Sequence, residues 1–75
     1  MDKLKHMRMQ SGLSQAQLSK AAGVPLRTIQ MYECGQRNID NACLDILCKL
    51  ASTIGCTLFD ILEDDALIDR VKEIV

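Results

Sequence analysis

At 75 residues and 48% hydrophobic side chains, with no Trp, one Phe and one Tyr, the chain can build one small domain around an aliphatic core. Its apolar runs are short and its first residues lack an apolar signal core, which points away from export and membrane spanning and towards the cytoplasm. The formal net charge of −1 argues mildly against nucleic acid until the charges are located: residues 1–38 hold six basic against two acidic side chains, residues 39–75 three against eight. With a single Pro and many Leu, Ile, Ala and Met, the composition predicts an all-α bundle.

The first predicted helix covers residues 3–11, with Leu4, Met7 and Arg8 on one face and Asp2 as a candidate cap. Arg8 is an unusual residue on an apolar face. Ser14 stands before a second apolar-periodic run, with Gln17 three residues on, the pattern of a capping box opening a helix from Gln15 to Ala22. Gly23 tolerates positive φ where that helix ends, and Pro25 presets φ where the next begins, so a third helix is predicted from Leu26 to Cys34 and ended by Gly35. Two short helices separated by three residues must cross steeply, which is a helix-turn-helix, a motif whose second helix can enter a DNA major groove.

Val24, Ile29 and the Ala21-Ala22 pair are the expected internal contacts of that motif, with the ring edge of Tyr32 also buried. Leu26, Arg27, Thr28, Gln30 and Met31 then face outwards. Arg27 can take guanine O6 and N7, Gln30 can pair with adenine, Thr28 can bond a phosphate or a base edge, and Leu26 and Met31 can make apolar contact, for example with a thymine methyl. The amino terminus of the second helix offers free amides and a positive dipole end to phosphate, with Gln15 placed to add a donor. Arg37, in the polar loop Gln36-Arg37-Asn38, and the Tyr32 hydroxyl are further phosphate candidates, against the alternative of a solvated loop.

A fourth helix is predicted over Asp40 to Ile54 on the stripe Leu44, Leu47, Cys48 and Ala51, widened by Ile46, Leu50 and Ile54. Gly55 ends it, Thr57 caps a short fifth helix, and Leu58, Phe59, Ile61 and Leu62 fill the base of the bundle. Asp64 and Asp65 open a last amphipathic segment whose Leu67, Ile68, Val71, Ile74 and Val75 share a stripe. Such a stripe either folds back on its own domain, extends a homodimer or meets another protein. The expected division is therefore a helix-turn-helix domain over 1–63 and a helix or tail over 64–75.

Leu4, Arg8, Gly12-Leu13-Ser14-Gln15, Leu18, Gly23-Val24, Thr28-Ile29, Glu33, Gly35 and Arg37, continued by Leu50-Ala51 and Gly55, together resemble the Cro and phage-repressor (XRE-like) family of DNA-binding domains over roughly residues 3 to 63. The resemblance implies a five-helix phage-repressor-like fold, with the segment after it as a short additional helix. It also implies that Arg8 pairs with Glu33 to tie the first helix to the third, a structural ion pair, and that Gln15 contacts phosphate while supporting the neighbouring helix. The fourth and fifth helices, with the segment after them, would form a dimer contact. The two exposed apolar residues Leu26 and Met31 depart from the more polar recognition helices common in the family, so the face either meets thymine methyls or binds protein.

Cys34, Cys43, Cys48 and Cys56 form no CxxC pair and the single His6 lies far from them in sequence, so small partly buried thiols are expected in place of a metal site or disulfide. There is no Ser-His-acid set and no Gly-rich phosphate loop, so neither catalysis nor a cofactor is expected. The expectation is a transcriptional regulator, a repressor on the resemblance, that binds double-stranded DNA at an inverted repeat as a homodimer. An antitoxin whose acidic half holds a toxin, and a protein-interaction module on the same fold, are the alternatives.

Overall fold

The amino end is set by Asp2, whose side chain accepts the Lys5 amide at 3.1 Å and starts α1 (Lys3–Gln10). The computed structural model describes residues 2–74, which continue with α2 (Gln15–Ala22), α3 (Leu26–Glu33), α4 (Leu44–Ile54) and α5 (Asp65–Ile74). Single 3-10 turns at Ile39–Asn41 and Leu58–Asp60 interrupt the series, and no strand occurs among the described residues.

Local chemistry accounts for most of these boundaries. Ser14 Oγ accepts from the Gln17 amide at 3.0 Å while Gln17 Oε1 accepts from the Ser14 amide at 2.9 Å, the reciprocal capping box expected from the sequence. Gly23 closes α2 at φ +72°, and its amide donates to Ser19 O. Pro25 occupies the cap position of α3, where its missing amide costs nothing.

Two predicted elements differ. The fourth helix starts at Leu44 and not at Asp40, because Asn38 Oδ1 accepts the Asp40 amide and closes a separate turn, after which Ala42 and Cys43 are extended. Asp40 cannot cap a helix there, since its carboxylate accepts the amides of Glu63 at 2.8 Å and Asp64 at 3.2 Å. The short fifth helix is reduced to the 3-10 turn at Leu58–Asp60, closed by reciprocal hydrogen bonds between Thr57 and Asp60. The amphipathic carboxy-terminal segment is thus the fifth α-helix.

The core joins Leu4 of α1, Leu18 and Ala22 of α2, Ile29 and Tyr32 of α3, Leu47, Leu50 and Ala51 of α4, Ile61, Leu62, and Ile68 of α5, with Val24 and Ile39 from connecting segments. Ala21 is exposed, so the inner contact of the motif comes from Ala22 alone of that pair. On α4 the buried stripe is Leu47, Leu50 and Ala51 with half-buried Ile54, whereas Leu44 and Cys48 lie outside. Cys34 and Cys43 are exposed too and only Cys56 is half-buried, so three of the four thiols are more open than expected; all four are free.

The carboxy-terminal helix folds back through Ile68 and Leu67, and Lys72 lies 5.2 Å from the Phe59 ring centroid. Val71 is half-buried and Ile74 fully outside, while Val75 lies beyond the described residues. Lys3 braces the same end: its amide donates to Glu63 at 2.6 Å, and its ammonium to the carbonyls of Phe59 at 2.7 Å and Leu62 at 2.6 Å. No helix among the described residues is long and apolar enough to cross a membrane.

Candidate nucleic-acid interface

The angle between α2 and α3 is held from inside by Leu18, Ala22, Val24 and Ile29 and from the turn by a side-chain bond, Ser19 Oγ donating to Val24 O at 2.6 Å. Ser19 O also accepts the Gly23 and Val24 amides, so the three-residue turn carries its own hydrogen bonds and needs no water to close it. Ile29 is fully buried, which orients the remaining residues of α3. Leu26, Arg27 and Gln30 come out exposed, and Thr28 and Met31 half-buried.

Beneath this face lies a buried ionic network. Arg8 Nε donates to Glu33 Oε2 at 2.8 Å and Arg8 Nη2 to Glu33 Oε1 at 3.0 Å, while Arg8 Nη1 donates to Leu13 O at 2.7 Å. The Glu33 carboxylate also accepts from Gln15 Nε2 at 3.1 Å. One pair thus joins α1, the loop before α2, α2 itself and the end of α3. The Glu33 hydrogen bond raises the Arg8 pKa against the opposing effect of burial, so the guanidinium stays charged. Gln15 spends one of its two amide hydrogens inside the domain, which leaves the second, with the free amides of the α2 terminus, for an external acceptor.

The helix end is closed by Arg37, whose amide donates to Met31 O, and its guanidinium lies 5.9 Å from the Tyr32 ring centroid. The Tyr32 ring belongs to the core at 8% exposure and lies beside the Arg37 guanidinium. Arg27 in the first turn of α3 and Arg37 in the loop beyond its last turn are exposed cations, with the neutral Gln30 and Met31 between them in sequence. Two residues outside the sequence-derived set share this surface: Cys34 and Gln36 line a hollow with Arg27, Gln30 and Met31. No sequence signal marked Cys34, which looked like the last residue of a helix. No group of metal-ligating side chains occurs among the described residues.

A helix-turn-helix whose second helix turns Arg27 and Gln30 outwards with half-buried Thr28 between them, over a buried ionic brace, has the form of a DNA-binding domain. The family comparison agrees: a helix-turn-helix family model matches residues 4–61, and the chain belongs to that family, in its XRE type, whose members are DNA-binding regulators of transcription. No curated protein and no solved structure matches the chain.

Proposed function

We propose that the protein is a sequence-specific repressor that binds an inverted-repeat operator as a homodimer. In this reading α3 enters the major groove with Leu26, Arg27, Thr28, Gln30 and Met31 at base edges, while Gln15, Arg37, the Tyr32 hydroxyl and the α2 terminus hold phosphates. Residues 1–63 form the DNA-binding domain, and residues 64–75 extend a dimer contact through the outer edge of α5, where Ile74 is exposed. The observation that carries it is the outward row of α3 set on the Arg8–Glu33–Gln15 brace, because base readout needs side chains presented on a backbone that does not shift.

A positive face this modest predicts salt-sensitive binding that gains from two copies, whose two-fold axis would place half-sites about one helical turn apart. Selection of bound sites from random duplex DNA, at low and near-physiological salt, tests it. An inverted repeat that survives the higher salt is expected; salt-sensitive, sequence-blind binding would sink the operator reading.

The acidic second half, with Leu44 65% exposed, supports a second reading in which this domain also holds a basic protein such as a toxin. Arg27→Ala separates DNA from protein recognition, since it should weaken operator binding by about 1–3 kcal/mol and leave a protein contact made by residues 39–74 intact.

A further inference from the structure

The hollow on α3 holds about 240 Å³ and is lined by Arg27, Gln30, Met31, Cys34 and Gln36. Its polar residues can donate and accept hydrogen bonds in planar, bidentate geometry; its apolar ones are a thioether and a thiol. The Cys34 thiol donates back to Met31 O at 3.6 Å, which turns its hydrogen towards the helix and leaves the sulfur as a soft, weakly hydrated surface. Arg27 is the one charged residue lining the hollow, so it does not have the composition of a phosphate cradle. The one apolar group that a duplex offers on its major-groove edges is the thymine 5-methyl.

We propose that this hollow takes the 5-methyl group of one thymine in each half-site, with Met31 and Cys34 against the methyl and Arg27, Gln30 and Gln36 meeting the polar edges around it. The inference rests on α3 being the groove helix, and it adds Cys34 and Gln36 to the residues that set specificity. Cys34 is exposed and outside the core, so its replacement leaves the fold alone.

The test uses the full chain and the operator obtained by site selection, with each thymine replaced singly by uracil, which removes only the methyl. At one thymine per half-site the replacement should weaken wild-type binding about fourfold, the value of one buried methyl. The same replacement should cost the Cys34→Ser variant clearly less, because a hydroxyl there keeps its water while Met31 alone still meets the methyl. Absence of a methyl-sensitive thymine, or a penalty undiminished in Cys34→Ser, overturns the methyl pocket while leaving the operator reading standing. A chain that selects no sequence at all overturns both.

Discussion

Arg8 and Glu33, 25 residues apart, meet in two parallel hydrogen bonds of 2.8 and 3.0 Å, with side chains only 10% and 3% exposed. This fork is the point where α1 grips the recognition helix, and Gln15 and Leu13 satisfy what the fork leaves over. Removing either partner strands a charge that the other elements cannot solvate.

Arg8→Ala should therefore cost about 3–5 kcal/mol, a large share of the stability of a 75-residue domain. Urea unfolding followed by circular dichroism measures it. Arg8→Lys should recover only part, because an ammonium cannot reproduce the fork and the bond to Leu13 together. Wild-type unfolding midpoints in Arg8→Ala would refute the brace.

Arg27 at the start of α3 and Arg37 in the loop after it should behave differently. Arg27→Ala is expected to weaken the selected operator by about 1–3 kcal/mol and relax the preference at one base position. Arg37→Ala should weaken all duplexes alike and lower the salt slope by about 1. Fluorescence anisotropy titrations across a salt series distinguish the two, and identical behaviour of both variants would remove the assignment of base and phosphate roles.

Ile68 and Ile74 divide α5 between inside and outside, at 7% and 82% exposure. Ile68→Ala should lower stability by about 2 kcal/mol, towards the lower end for a buried aliphatic truncation. Ile74→Asp should leave stability unchanged and shift the sedimentation profile towards monomer, with weaker operator binding. Ile74→Asp that sediments and binds as wild type does would rule out the outer edge of α5 as a dimer contact.

Asp2 contributes to the pH dependence of stability on the acid side. Its Oδ2 is buried without a partner among the described residues, and burial, with the Glu33 and Glu63 carboxylates adding to it, raises its pKa despite the Lys5 amide. A carboxyl whose folded pKa exceeds its unfolded value favours the fold below the unfolded pKa, and that contribution is lost as pH rises through the folded pKa. Asp2→Asn keeps an acceptor for the Lys5 amide and should raise Tm at neutral pH. The gain should vanish in acid below the ordinary aspartate range, where the wild-type carboxyl is already neutral. An equal gain at both pH values would mean that ionisation at this position is not the cause.

The parts of the fold that were legible in advance are those written in neighbouring residues. Ser14 and Gln17 cap each other across three positions, Gly23 supplies its own positive φ, and both effects survive whatever packs around them. The Arg8–Glu33 pair was legible only through family resemblance, since nothing in the spacing of residues 8 and 33 brings them together. The start of the fourth helix was missed partly because a side chain there is claimed from far away. Asp40 looked like the start of a helix because its amphipathic run comes next, yet its carboxylate is used by amides 23 and 24 residues on.

Local sequence dictated the helices, their turn and the outward row of α3, because capping, glycine conformation and apolar periodicity act within a few residues. Packing between elements chose which apolar residues are core: Leu44 and Ile74 obey the helical pattern of their neighbours and remain outside, since a helix buries only the face that another element covers. Packing also set Cys34 and Gln36 beside Arg27, Gln30 and Met31. That hollow exists because α3 ends and the chain turns back over its last turn, a placement fixed by the core beneath it.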